Sequence, residues 1–273
     1  MASRAESLAA LLAAWSVALS GCQSPKKTPR RLDPIPMQDA ARIVNQNIEA
    51  IAGTLRAVGS VDGRFATHEG TRRSFHADGT LFYHEPFFLR FDLKKLGDRQ
   101  FLFGSNEERW WVYSKADEKH FCGRQGVPED VPAGLPVQPD QIVDALGLTF
   151  IPEDGWITGP AQRVVEDYQQ ILFIALDDRD WPVIRKEYWL DRSTPRLVRR
   201  VIFRDENGVV EMESRLDDYR VLAPDGPLLP YAMEAVWPKS DAQMRLEVRQ
   251  WALVDQVQPG DIQFATPSEC LEE

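Results

Sequence analysis

The apolar positions of the chain fall into three regimes. Leu8 to Leu19 (LAALLAAWSVAL) is an uncharged run of 12 residues. It is too short to cross roughly 30 Å of hydrocarbon stably and has the length of the apolar segment of an export signal. Ala40, Ile43, Val44, Ile48, Ile51 and Leu55 then recur at three- and four-residue spacing. This predicts an amphipathic helix capped by Asp39, with Arg42, Asn45, Glu49 and Arg56 on its wet face. From Ser60 the period becomes two. Phe87, Leu89, Phe91 and Leu93 alternate with Phe88, Arg90, Asp92 and Lys94. Val210, Met212 and Leu216 alternate with Glu211, Glu213, Arg215 and Asp217, and Met244, Leu246 and Val248 with Arg245, Glu247 and Arg249. Each stretch predicts a half-buried antiparallel strand.

Turn signals punctuate these strands at Asp78-Gly79, Leu96-Gly97-Asp98, Ser105-Asn106, Asp177 to Asp180, Asp191 to Pro195 and Asn207-Gly208. No βαβ rhythm is present, which excludes parallel α/β folds. One segment interrupts the sheet. Gly126 to Pro139 is rich in Pro and Gly, Asp140 to Leu148 predicts a short helix ending at Gly147, and Thr149 to Pro160 reads as loop. Strands resume at Gln162, with the same kind of sheet on both flanks. The expected fold is mainly β (α+β): a curled antiparallel sheet of about 11–12 strands, with an N-terminal helix and a helix–loop insertion that covers something.

The start of the chain stands apart. Leu19-Ser20-Gly21-Cys22 follows the apolar run, and small residues before a Cys resemble the bacterial lipobox. The resemblance implies that residues 1–21 are removed and that Cys22 becomes a lipidated N-terminus; an ordinary secretory signal with an incidental Cys is the alternative. Two or three acyl chains give stable anchoring where one gives marginal binding. Gln23, rather than Asp, after the Cys favours the outer membrane by resemblance to the sorting rule of enteric bacteria. Residues 22–37 hold four prolines and four basic residues and read as a tether, either a solvated spacer or a stripe on anionic lipid. A single domain, 38–273, follows.

Composition narrows the function. With 32 basic and 42 acidic residues the net charge is −10, which argues against a nucleic-acid partner. His68, His76, His84 and His120 come with no HExxH, no paired Cys and no acidic cluster at ligand spacing, so no metal or other cofactor is expected. GxSxG, SxxK and P-loop motifs are missing from the sequence. Glu153-Asp154, Asp177-Asp178 and Asp217-Asp218 are adjacent pairs, whose side chains in extended chain point to opposite faces. The expectation is a non-enzymatic chain. Cys122 and Cys270 are the thiols left after lipidation; in an exported protein they either pair or stay free.

The aromatic residues carry the most information. Eleven crowd between Phe82 and Phe121, and both faces of these strands look partly apolar. They make either a closed core or the wall of a ligand cavity. The cavity candidates are Phe87, Leu89, Phe91, Phe101, Phe103, Trp111 and Tyr113. Arg90 alternates with them and is the head-group candidate, the alternative being an exposed strand arginine.

Glu85-Pro86-Phe87-Phe88-Leu89-Arg90-Phe91, followed by the Gly104–Tyr113 hairpin (GSNEERWWVY), resembles the P-x-x-x-R and G…W-x-Y strands of the LolA/LolB-like lipoprotein carriers. Tyr188-Trp189-Leu190-Asp191 with Pro195, and Val201 to Tyr219 with Asn207-Gly208, resemble their W-x-D…P…D-x-x-G hairpins. The resemblance spans about residues 38–255. It implies a half-open antiparallel barrel wrapped over helices, with an apolar cavity for the acyl chains of a lipid or a lipoprotein. The chain is expected to be a monomer, attached to the membrane through the lipid on Cys22. The competing expectation is a structural envelope lipoprotein whose barrel is filled.

Overall fold

The computed structural model describes residues 31–66, 71–116, 118–125, 139–148, 150–151 and 160–271, and everything below concerns the unit Leu32–Glu273. The export-signal run, Cys22, His68 and Glu153-Asp154 lie outside the described residues. Among those residues no helix is long and apolar enough to cross a membrane.

The first helix, α1 (Met37–Glu49), buries Ala40, Ala41, Val44, Asn45 and Ile48. It starts three residues earlier than a cap at Asp39 implies. Pro36, with φ −51°, leads into it, and no side chain caps it. Asp39 sits within the first turn and pairs with Arg42 at 2.9 Å, where a carboxylate meets the positive end of the helix dipole. The periodic run to Leu55 overshoots the helix. Gly53, at φ +108°, turns the chain, and Leu55 begins the first strand. Leu32 to Pro36, which the sequence assigns to the tether, is laid along the sheet: Leu32 N–H donates to Arg192 O at 2.8 Å, and Ile35 and the Gln169 amide exchange two hydrogen bonds.

Thirteen strands form one antiparallel sheet. In the N-terminal half these are β1 (Leu55–Ala66), β2 (Arg72–His84), β3 (Phe88–Lys95), β4 (Asp98–Ser105), β5 (Arg109–Ser114) and β6 (Lys119–Arg124). The C-terminal half holds β7 (Ala161–Val165), β8 (Tyr168–Leu176), β9 (Pro182–Asp191), β10 (Val198–Arg204), β11 (Val210–Val221), β12 (Leu228–Trp237) and β13 (Ala242–Leu253). Both halves are meanders. They join where β1 pairs β13, from Leu55 opposite Leu253 to Arg64 opposite Gln243. Among the described residues the end strands of the sheet are β6 and β7, and the segment between them carries α2 (Pro139–Ala145). The sheet is curled and unclosed.

Asp78-Gly79 is no turn. It lies inside β2, opposite Ser60 and Gly59 of β1. Gly59 is required by closeness: a Cβ there would lie 2.3 Å from the Glu247 carbonyl of β13. Leu96-Gly97 and Asn207-Gly208 do form turns, with φ +51° and +87° at the first pair and +77° at Gly208.

The core is the concave side. One contiguous cluster joins Leu55 and Val61 (β1), Leu81 and Tyr83 (β2), Leu89 and Phe91 (β3), Phe103 (β4), Trp110 and Val112 (β5), Phe173, Tyr188, Val201, Leu216 and Met233 from the other half, and α1.

Candidate functional site

The concavity is the site that the fold builds, and it receives four of the seven cavity candidates. Leu89 and Phe103 are fully buried, Phe91 is 2% exposed, and the half-buried Phe101 packs against the same cluster. Phe87 is 51% exposed in the turn before β3. Trp111 and Tyr113 lie on the opposite face. The reason is register: Ser105 faces Trp110, so Phe103 pairs with Val112 and Gly104 with Trp111. That sends Trp110 and Val112 inward, because a step of one residue exchanges faces.

The outer face of this half has its own cover, which periodicity did not signal. The chain after β13 crosses back over it. Phe264 meets Phe88 edge-on at 5.6 Å. Asn106 donates to Phe264 O at 3.3 Å and to Thr266 Oγ1 at 3.1 Å, and Arg109 donates to Cys270 O at 2.7 Å. Cys270 is bonded to Cys122 of edge strand β6, with Cα atoms 5.7 Å apart. Leu102, Trp111 and Cys270 are buried together, with Tyr113 and Cys122 beside them. Arg90 belongs to this side too. Its guanidinium reaches Gln263 O at 3.4 Å and Asp92 at 3.6 Å, so it is not at the rim of the concavity. Burial lowers its pKa, against the pull of Asp92.

Inside, the space opposite the wall is taken by the chain itself. From the insertion, Ile142, Val143, Leu146, Leu148 and Ile151 are all buried in the main cluster. Gly147, at φ +69°, ends the helical turn as its sequence position implies. Polar pins hold this plug. Asp144 pairs with Lys186 Nζ and accepts from Tyr188 OH at 2.8 Å. Ser214 Oγ donates to Ala145 O at 2.6 Å, and Tyr83 OH donates to Leu148 O at 3.0 Å. Asn45 of α1 exchanges two bonds with Ile151, at 3.0 and 2.8 Å. Burial pushes the Tyr83 phenol well above its ordinary pKa, helped by Glu85 and Asp144, so it remains a donor.

Lys186 was missed by sequence reasoning, although a signal exists. In β9 it keeps step with Tyr188 and Leu190, both buried inward, so it stands at a core position of a period-two strand.

Two depressions of the described surface lie elsewhere, on the outer face of the C-terminal half. One of about 460 Å³ is lined by Tyr168, Trp189, Arg199, Arg200, Arg215, Leu216 and Asp217, and one of about 210 Å³ by Glu213, Arg215, Glu234, Val236 and Pro238. The carboxylate of Glu213 bridges Arg200 at 2.7 Å and Arg215 at 2.9 Å. Among the described residues, no three His, Cys, Asp or Glu side chains gather as metal ligands. His76 bonds Asp62 at 2.8 Å, His84 bonds Thr54 at 2.9 Å, and the His120 ring lies 4.9 Å from that of Tyr113.

No family model matches the sequence, and no curated relative aligns with it. Solved structures do match in fold. A DUF1329 family protein from Desulfovibrio piger superposes with a TM-score of 0.51 at 9% identity, over 82% of this chain and 96% of that one. A LolA superfamily protein from Nitrosomonas europaea gives 0.49 at 12% identity, over 80% and 94%. A domain from Vibrio parahaemolyticus assigned to outer membrane lipoprotein sorting gives 0.49 at 11%, over 81% and 94%. The chain thus shares with the Desulfovibrio piger protein a fold of one curled, unclosed antiparallel sheet with helices. At these identities the likeness is one of fold.

Proposed function

We propose that this is a non-enzymatic envelope lipoprotein that holds acyl chains of a lipid or lipoprotein in its concavity, as a step in lipid or lipoprotein transport. On this reading it is a monomer anchored by lipid on Cys22, on the periplasmic face of the outer membrane. The observation that carries the proposal is the plug. Beside α1, an apolar wall spanning both halves of the sheet is covered by a short stretch of the chain's own sequence that contributes Ile142, Val143, Leu146, Leu148 and Ile151.

Exchange of this plug for hydrocarbon is close to balanced. Burying five such side chains is worth about 1.5–3 kcal/mol each, and a chain of about fourteen methylenes is worth ~0.8 kcal/mol per methylene. An acyl chain can therefore take the place of Ile142, Val143, Leu146, Leu148 and Ile151 without a large change in buried apolar area. Leu89, Phe91 and Phe103, with Trp110 and Val112, belong to the same buried cluster.

Native mass spectrometry of the protein extracted from membranes tests this. Co-purified lipid or lipoprotein is expected, as is uptake of a fluorescent fatty acid by the delipidated protein. Clean apo protein that takes up no fatty acid overturns the reading. Cys22→Ala is expected to move the protein to the soluble periplasmic fraction; a mutant still found in membranes refutes lipid anchoring as the main attachment.

The tight filling of the concavity favours a second reading, a structural envelope lipoprotein with a permanently closed interior. It predicts no lipid uptake and stable protein partners on cross-linking.

A further inference from the structure

A positive charge stands on the inner wall. Lys186 of β9 lies between Phe173 of β8 and Phe203 of β10 in the cross-strand register. Its ammonium is 4.8 Å from the ring centres of both Tyr188 and Phe203. Its side chain is 17% exposed, and its counter-ion, Asp144 of α2, is 6% exposed. The cation therefore belongs to the wall and the anion to the plug.

Three of the other pins repeat this polarity, whereas Asn45 of α1 both donates to and accepts from Ile151. Between wall and plug, Tyr188 OH, Ser214 Oγ and Tyr83 OH donate, while Asp144, Ala145 O and Leu148 O accept. An acyl chain that displaced the plug would supply the lost apolar contacts and none of the lost acceptors. Lys186 would then remain among aromatic rings, and an ammonium stripped of its partner in such a place is strongly destabilising. A hydroxyl left without an acceptor adds a smaller penalty of the same sign.

We infer that the ligand of the concavity is an anionic amphiphile whose acid group, a carboxylate or a phosphate, takes the place of Asp144 on Lys186, with Tyr188 OH as the second donor. The inference rests on the reading of the concavity as an acyl site. It adds the class of head group and the residue that meets it. Neutral lipids of the same chain length are selected against, since they would leave the ammonium unpaired.

The test uses the full mature chain carrying Cys22→Ala, at pH 8 and below the micelle concentration of each probe. The probes are palmitic acid, its methyl ester, and lysophosphatidic acid with the same chain, each displacing a fluorescent fatty acid. The wild type is expected to bind at least one of the two acids about tenfold or more tighter than the ester. The tighter acid identifies carboxylate or phosphate as the source. Lys186→Met is expected to bring the acids within about twofold of the ester, and Lys186→Arg to keep the preference. Asp144→Asn removes the competing anion and is expected to widen the acid-to-ester ratio. It carries the test if Lys186→Met does not fold.

Equal binding of acid and ester by the wild type overturns the inference and leaves the acyl reading standing. So does a preference that persists in Lys186→Met, or a ratio unchanged in Asp144→Asn. Failure of all three probes to bind overturns both.

Discussion

The two halves of the sheet share one inner wall and differ in how the other face is finished. In the N-terminal half the outer face is aromatic and roofed: Leu102, Trp111, Tyr113 and Phe88 lie under a chain segment that ends in the Cys122–Cys270 bond. The C-terminal half is finished with charge. Trp189, Arg200, Arg215, Glu234 and Arg245 follow one another across neighbouring strands, and Asp62 of β1 continues the row. Arg204 pairs with Glu187 at 2.7 Å and Arg200 with Glu213 at 2.7 Å. A roofed face is a second small core and is stabilised by area. A laddered face is stabilised by pairing and tolerates water. The difference also sorts the inner wall. Of the strand groups described above that pin the plug, Lys186, Tyr188 and Ser214 stand on the laddered half and Tyr83 on the roofed one.

The contrast can be broken most strongly at the disulfide. The bond spans a sequence separation of 148 residues. Its removal in Cys122→Ser/Cys270→Ser is expected to lower the unfolding free energy by about 4 kcal/mol. Urea denaturation of the variant, and of the wild type with and without reductant, measures this; equal midpoints would show that the roof stands without its tie. Next in size is Phe264→Ala, which empties a fully buried site against Phe88 and is expected to destabilise by about 3 kcal/mol. Leu96→Ser, on a turn where the side chain is 99% exposed, should leave the midpoint unchanged and serves as control.

On the laddered half, Arg204→Ala leaves Glu187, 3% exposed, with Trp189 Nε1 as its remaining donor. The expected loss is about 2 kcal/mol, most of it from the stranded carboxylate. A loss below that of an exposed pair would mean that the ladder is ornamental.

The smallest effect is with pH. Burial raises the pKa of Asp92 and of Glu213, but the Arg99 guanidinium on the one and those of Arg200 and Arg215 on the other outweigh it, so both carboxyls sit below their usual range. Stability from a depressed carboxylate is in place above its unfolded pKa of about 4 and is lost as pH falls through the folded value. Each half should therefore lose some stability on acidification below about pH 4. Asp92→Asn is expected to flatten the acid limb in the N-terminal half's share alone. Urea midpoints between pH 6 and 2.5 report it.

The meander was legible because its signals are local. Period-two alternation at Phe87 to Leu93 and turn residues such as Asn207-Gly208 act within a few positions. What escaped depends on partners distant in sequence. Asp78-Gly79 has the composition of a turn, yet lies within a strand between β1 and β3. Trp110 and Trp111 are indistinguishable until the register with β4 is known. The roof over Trp111 is built by a stretch with no regular period, so only the odd placement of Cys270 hinted at it. Lys186 looked like an ordinary strand lysine because its partner Asp144 comes from the insertion.

The pairing of β1 with β13 orders events in time. A chain that emerges from its N-terminus supplies Leu55 early and Leu253, its neighbour, near the end. Until then β1 has one bonded side and one open side, an edge able to take other strands. Both meanders can zip up from nearby residues, while their seam awaits the slowest encounter in the molecule. Cys270 lies beyond β13, so the sulfur that closes the roof reaches Cys122 only after the last strand has been made. Oxidation thus acts as a latch on a sheet whose seam can already have formed, and a non-native bond at Cys122 would report that the seam came too late.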